Sequence, residues 1–180
     1  MADAMGDALA GQRETAATPP RLLEFVLPVV IVAVDQATKA MVRAALPLHE
    51  TITVIPGFFN ITHALNSGAA FGFLDGTDFP YKTTIIAVIA TAALIGVGIY
   101  AASLSHHQLV ARIGLALIVG GAAGNLIDRV FAGSVVDFAD FYLRDWHFWA
   151  FNVADSAISI GVTMLILDML TTGPHASKTA

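Results

Sequence analysis

The chain has 180 residues, of which 56% are hydrophobic and only 13% are charged. Soluble domains carry about 25% charged residues, so this composition excludes an ordinary soluble globular protein. The net charge of -5 argues against nucleic acid as a partner, because phosphate binding needs a basic surface. The absence of cysteine excludes disulfides, thiolate metal sites and a cysteine nucleophile.

Four apolar segments are each long enough to cross a bilayer, because a hydrocarbon core about 30 Å thick needs roughly 20 helical residues. Charged residues interrupt the first segment, whereas the second contains none. The third carries a run of small residues in GxxxG spacing, which is typical of close helix packing. In chain order, the predicted spans are residues 22–46, 83–104, 109–127 and 146–170.

The segments around these spans complete the predicted organisation. Residues 47–80 combine β-branched and aromatic residues with Pro and Gly, which indicates short strands and turns in a small extramembrane module. Residues 1–20 are polar and aperiodic, which indicates a disordered N-terminal tail, and residues 173–180 form a C-terminal tail. The sequence therefore predicts an all-α membrane protein with four transmembrane helices and a small extramembrane β module, in one domain over residues 21–172.

Lysine and arginine counts leave the orientation of this domain open. With four spans, four basic residues lie on the side of the termini and five lie on the other side. Several of those five stand beside acidic residues, which makes them poor topology markers. A difference of one does not decide which side is cytoplasmic.

Charged side chains at membrane depth are costly, so each one needs a partner, a water-filled cavity or a task. Asp35 and Lys39 in DQATK stand four residues apart on one helical face, where they can form an ion pair. Asn125, Asp128 and Arg129 in GNLIDR share one face at the end of the third span. For these three residues we favour a structural network that holds helix ends together over a catalytic role.

Two further acids are candidates for chemistry. Asp137 in GSVVDF follows the third span among apolar neighbours, which favour its neutral form. Asp155 in FNVADS lies about two turns into the predicted fourth span, one turn after Asn152. In one interpretation Asp155 pairs with Arg129. In the other, Asp137 and Asp155 share one proton, so that one acts as a base and the other as an acid.

The motifs DQATK, NSGAAFG, GNLIDR with GSVVDF, and FNVADS, in this order and spacing, resemble the lipoprotein signal peptidase family, also called signal peptidase II. The resemblance covers residues 22–170. It implies a bacterial inner-membrane aspartic endopeptidase that removes the signal peptide of a diacylglyceryl-modified prolipoprotein by cutting just before the lipidated cysteine. It implies no metal and no organic cofactor.

The resemblance also implies roles for individual residues. Its catalytic pair falls on Asp137 and Asp155. Its substrate-binding or supporting positions fall on Asp35, Lys39, Asn66, Gly68, Ala70, Phe71, Asn125, Asp128, Arg129, Asn152 and Ala154.

The same resemblance implies an orientation in the membrane. Both termini would be cytoplasmic, and residues 47–80 would rest on the periplasmic membrane surface near the active site. Residues 130–148 would form a periplasmic connection with a short helix near residues 139–147. The expected partners are lipoprotein signal peptides and membrane lipids, with no nucleic acid, and we expect a monomer.

Other interpretations remain open on the residues alone. The intramembrane acids are compatible with a small ion- or proton-coupled transporter, or with a noncatalytic adaptor in which they only lock helices together. A serine–lysine protease would use Ser67 or Ser156 with Lys39, although no GxSxG motif supports it. The six histidines show no metal-binding spacing.

Overall fold

A computed structural model describes residues 22–68, 80–105 and 108–172. In these ranges, each of the four helices is long and apolar enough to cross a membrane, and the strands form a small antiparallel sheet. The predicted fold class is therefore confirmed. The elements are α1 (Leu22–Ala45), β1 (Thr51–Ile55), β2 (Phe59–Asn66), α2 (Lys82–Ser103), α3 (Leu109–Ala132), β3 (Val135–Leu143), β4 (Trp146–His147) and α4 (Val153–Thr172).

Two helix ends differ from the predicted spans. The last helix, α4, begins only at Val153, because the side chain of Asn152 caps it: Asn152 Oδ1 accepts the backbone N–H of Asp155 at 3.0 Å. Asp155 therefore lies in the first turn of α4, and the prediction that it lies two turns inside the span is wrong. At the other boundary, α3 continues to Ala132 and ends where Gly133 adopts a left-handed φ of 76°.

The sheet draws its third strand from a segment that we expected to be helical. The short helix expected near residues 139–147 is wrong, because β3 pairs antiparallel with β2, with Ala64 opposite Asp137 and Asn66 opposite Val135. The segment VVDFADFYL is rich in β-branched and aromatic residues, which favour a strand, and it covers an edge of β2 that would otherwise be unpaired. This pairing places Asp137 beside the end of β2.

The third helix is the centre of the bundle, since α1, α2 and α4 all pack against it. Its small residues permit this close approach. A Cβ atom added at Gly121 would lie 2.4 Å from the carbonyl oxygen of Ala154 in α4, and one added at Gly124 would lie 2.7 Å from Asp35 Oδ2 in α1. The small-residue run of α3 therefore brings the start of α4 and a carboxylate of α1 against the same stretch of helix.

Replacing Gly121 by alanine tests this packing. We expect Gly121→Ala to lower the free energy of unfolding by about 1–3 kcal/mol, because the new methyl group meets backbone that must shift. Gly96→Ala is the matched control, since a Cβ there meets nothing within 4 Å. Thermal unfolding in detergent micelles measures both variants, and equal midpoints for the two would contradict the packing argument.

Candidate active site

A fully buried lysine lies where α1 meets α3. Lys39 has 0% of its side chain exposed, and its Nζ lies 2.8 Å from Asp35 Oδ2 and 2.7 Å from Asp128 Oδ2. The ion pair expected from the spacing of Asp35 and Lys39 is thus present, and Asp128 of α3 joins it. Arg43 adds a second cation, because its Nη2 donates to Asp128 Oδ1 at 3.0 Å. Two carboxylates and two cations together satisfy charges that the bilayer interior could not solvate.

Asp35 also connects α1 to the beginning of α4. Its Oδ1 accepts the backbone N–H of Ala154 at 3.0 Å. A side chain of α1 thus satisfies one of the free N–H groups in the first turn of α4. Gln36 supports the same carboxylate, because its Nε2 donates to Asp35 Oδ2 at 3.2 Å and to the carbonyl oxygen of Gly124 at 3.2 Å. Sequence reasoning did not identify Gln36 or Arg43 as site residues.

Asn125 links the buried lysine to the first candidate catalytic acid. Its Oδ1 accepts from Lys39 Nζ at 2.9 Å, and its Nδ2 donates to Asp155 Oδ1 at 2.8 Å. In an amide only the oxygen accepts and only the nitrogen donates, so the Oδ1 of Asn125 must face Lys39 and its Nδ2 must face Asp155. The Lys39 charge therefore orients Asp155 through a single intervening side chain.

Asn152 contacts both candidate catalytic acids. Its Nδ2 donates to Asp137 Oδ1 at 2.7 Å, and its backbone N–H donates to Asp155 Oδ2 at 3.2 Å. With the Asn152 cap described above, the second bond completes a reciprocal pair between the N-cap residue and Asp155. Asp155 thus lies at the positive end of the α4 dipole, while Asp137 approaches it from β3.

Asp137 is held from the sheet as well as from α4. Asn66, at the end of β2, donates from Nδ2 to Asp137 Oδ2 at 3.0 Å. Burial, followed by the neighbouring Asp155 carboxylate, raises the pKa of Asp137 to about 7. The hydrogen bonds from Asn66 and Asn152 act against this rise. Near neutral pH, Asp137 therefore exchanges readily between its protonated and ionised forms.

The turn after β2 is tied to α3 and α2. Asn66 Oδ1 accepts the backbone N–H of Gly68 at 2.9 Å, and Arg129 Nη2 donates to the carbonyl oxygen of Gly68 at 2.8 Å. Lys82 Nζ donates to Ser67 Oγ at 2.8 Å. Lys82 was not predicted as a site residue, and its only sequence signal is its position at the start of the second span, directly after the predicted module. Residues 70 and 71, the predicted Ala70 and Phe71, lie outside the described residues.

Two alternatives from the sequence do not match the contacts of the described residues. Arg129 donates to the carbonyl oxygens of Gly68 and Asn125, whereas the hydrogen bonds to Asp155 come from Asn125 and Asn152. Lys39 is engaged by acids and by Asn125, so it does not form a dyad with a serine. The Oγ of the second candidate serine, Ser156, donates to the Asn152 carbonyl.

The described part of the chain thus brings together nine predicted positions: Asp35, Lys39, Asn66, Gly68, Asn125, Asp128, Arg129, Asn152 and Ala154, around Asp137 and Asp155. Within residues 22–68, 80–105 and 108–172, no group of three His, Asp or Glu side chains is arranged to hold a metal ion. Two carboxyl groups held by amides, one of them with a pKa near neutrality, can act as a general acid and a general base.

The family model and the curated relatives that this chain matches all describe the same kind of protein. The family described as signal peptidase (SPase) II matches residues 27–171. A lipoprotein signal peptidase of Geobacter metallireducens is 44% identical over 158 residues, which are 88% of this chain and 96% of that protein. One of Solibacter usitatus is 47% identical over 143 residues, 78% of this chain and 85% of that protein. A solved bacterial membrane enzyme superposes with a TM-score of 0.75 at 32% identity, covering 87% of this chain and 93% of its own.

Neutralising the buried lysine tests the charge network. We expect Lys39→Met to lower the free energy of unfolding by about 3–5 kcal/mol, because it leaves two buried carboxylates without their shared cation. Arg43→Met is the matched control: Arg43 contacts the same Asp128 but is 37% exposed, so we expect a loss below about 1 kcal/mol. Chemical unfolding in micelles measures both, and a loss in Lys39→Met no larger than in Arg43→Met would refute the assignment.

Proposed function

The chain belongs to the signal peptidase II family, and on this premise we propose that it is an aspartic endopeptidase that releases signal peptides from diacylglyceryl-modified prolipoproteins. Membership makes it a multi-pass bacterial membrane protease of lipoprotein processing. The aspartic chemistry and the cut just before the lipidated cysteine are the proposal. One observation carries the chemistry: Asn152 donates hydrogen bonds to both Asp137 and Asp155.

In the proposed reaction, Asp155 is the base and Asp137 is the acid. The ionised Asp155 takes a proton from a water molecule, whose oxygen attacks the scissile carbonyl carbon, while Asp137 protonates the carbonyl oxygen. Asp155 then gives its proton to the leaving nitrogen, the C–N bond breaks, and the second hydroxyl proton returns to Asp137. The products are a signal peptide with a new carboxyl terminus and a lipoprotein that begins with an amino-terminal cysteine.

The assignment of the two roles is supported by where each acid sits. Asp155 occupies the first turn of α4, where the helix dipole favours an anion, and it accepts two N–H donors. Asp137 lies on a strand without that dipole, and its pKa is raised to about 7, so it retains a proton that it can donate. Two neighbouring carboxyl groups whose surroundings give them different affinities for a proton can act as an acid and a base, and this supports the two roles.

The proposed orientation places the active site at the periplasmic surface. α1 and α3 start at one end of the bundle, whereas Asn125, Asp155 and the sheet lie at the other. With both termini cytoplasmic, the acids then face the side on which a lipidated cysteine resides. Each buried methylene contributes about 0.8 kcal/mol, so two acyl chains hold that cysteine at the depth where the acids lie. We propose that the protein acts as a monomer in contact with membrane lipids.

Ion or proton transport through the same acids is the alternative. No contact among the described residues favours it, because Asp35 and Asp128 are both bound to Lys39. Ion flux into liposomes without any peptide cleavage would support transport over proteolysis.

Amide substitutions of the two acids test the proposed reaction. We expect Asp137→Asn and Asp155→Asn each to abolish cleavage of a diacylated precursor peptide, because an amide neither accepts the proton of water nor donates a carboxyl proton. Asp145→Asn is the control, since Asp145 is exposed in the turn between β3 and β4. Mass spectrometry of the products locates the cut, and full activity in either dyad variant would exclude the aspartic mechanism.

The pH dependence of cleavage tests the acid role of Asp137. Below about pH 7 Asp137 holds its proton, so kcat/KM should fall as the pH rises through this value. The Asn66 hydrogen bond lowers the pKa of Asp137, so Asn66→Ala should move this falling limb to higher pH. Asn60→Ala serves as the control, because Asn60 also lies on β2 but donates to Asp140. A limb that moves to lower pH in Asn66→Ala, or that moves equally in both variants, would contradict the role.

A further inference from the structure

A cavity of about 350 Å³ lies between α1 and α2, with α3 as its floor. Its walls are apolar except for one ion pair, between Glu24 of α1 and Arg112 of α3. It is at the opposite end of the bundle from the two catalytic acids, because it contacts the first turns of α1 and α3 and the last turns of α2. The lining residues are Glu24, Phe25, Pro28, Gly98, Ala101, Leu104, Arg112, Leu115, Ala116 and Val119.

The distance from this cavity to the acids corresponds to the apolar part of a signal peptide. Arg112 in the cavity and Asn125 at the active site are thirteen residues apart on α3, which is about 20 Å along the helix axis. The apolar segment of a signal peptide has about 7–15 residues and is preceded by a positively charged region. A helical segment of that length, with its cleavage site at the acids, therefore ends beside the cavity.

The ion pair of Glu24 and Arg112 in the cavity wall is suited to bind the positively charged region of a signal peptide. Arg112 is buried and is bound to Oε1 of Glu24 through both its Nε and its Nη2. Among the described contacts, Oε2 of Glu24 receives no hydrogen bond, and Glu24 is 25% exposed. This oxygen is therefore placed to accept from a lysine or arginine that comes from outside the chain.

Resting on the proposed function, we propose that the cavity between α1 and α2 binds the amino-terminal end of the substrate's signal peptide. The amino-terminal turn of the substrate's apolar helix occupies the cavity between the two helices, and a basic residue before it pairs with Glu24. Gly98 leaves this space open, because a Cβ there would meet nothing within 4 Å of it. The enzyme thus contacts its substrate at two ends, with the lipidated cysteine at the acids and the charged region at the cavity.

Filling the cavity tests the proposal with two precursors that share the lipidated cysteine. One carries a full signal peptide, and the other lacks the charged region and the first half of the apolar segment. We expect Gly98→Leu to raise KM for the full precursor about tenfold and to leave kcat unchanged. The rise corresponds to a loss of the burial of about two methylene groups of the substrate. The shortened precursor should be cut by Gly98→Leu and by the unaltered protein with the same KM.

Gly96→Leu is the matched control, because Gly96 lies on the same helix with the same open surroundings but does not line the cavity. It should leave KM unchanged for both precursors. Equal KM values for the full precursor in Gly98→Leu, Gly96→Leu and the unaltered protein would overturn the proposal. An equal rise for both precursors in Gly98→Leu would also overturn it, because the cavity would then hold a membrane lipid or support the fold.

The charge contact is tested by comparing two precursors on the same protein, so that a change in the stability of that protein affects both precursors equally. Replacing the basic residues of the full precursor by glutamate should raise KM for the unaltered protein, and Glu24→Gln should reduce the difference between the two precursors. If the KM values of the two precursors differ as much in Glu24→Gln as in the unaltered protein, the contact with Glu24 is refuted. If the unaltered protein cuts neither precursor, the proposed function itself fails, which is a different outcome from either result above.

Discussion

The ammonium group of Lys39 is the constraint on which the other contacts of the site depend. An unpaired charge in a bilayer is unstable, and Lys39 is fully buried, so α1 must bring it to acceptors on other helices. It finds them in Asp128 and Asn125 of α3, in addition to Asp35 on its own helix. Because Asn125 in turn holds Asp155, the neutralisation of one cation also sets the position of a proposed catalytic acid.

The two acids come from elements of different kinds, and this difference separates the roles proposed for them. Asp155 belongs to a helix start, where it shares a capping arrangement with Asn152. Asp137 belongs to a strand, where, among the described contacts, the side-chain amides of Asn66 and Asn152 donate to it. A helix end and a sheet that meet at one asparagine therefore give two identical functional groups unequal surroundings.

The sequence predicted the parts of this structure that depend on local signals. Composition and apolar length identified the four spans, and the spacing of Asp35 and Lys39 identified their ion pair. It missed β3, because the partner of this strand lies about seventy residues earlier in the chain and no local periodicity reports such a pairing. The contact between Ser67 and Lys82 was also missed, because no periodicity relates the turn after a strand to the start of the next helix. The roles of Ala70 and Phe71 stay predictions.

The hydrogen bond from the Ala154 backbone to Asp35 joins residues 119 positions apart. A ribosome delivers α1 to the membrane before α4 exists, so during synthesis the Asp35 carboxylate is compensated by Lys39 and Gln36 of its own helix. The contacts within α1 therefore lower the free-energy cost of placing its charges in the bilayer until the later helices are synthesised. The polar centre closes only when α4 is in place, so the proposed proteolytic site forms after that helix has been synthesised.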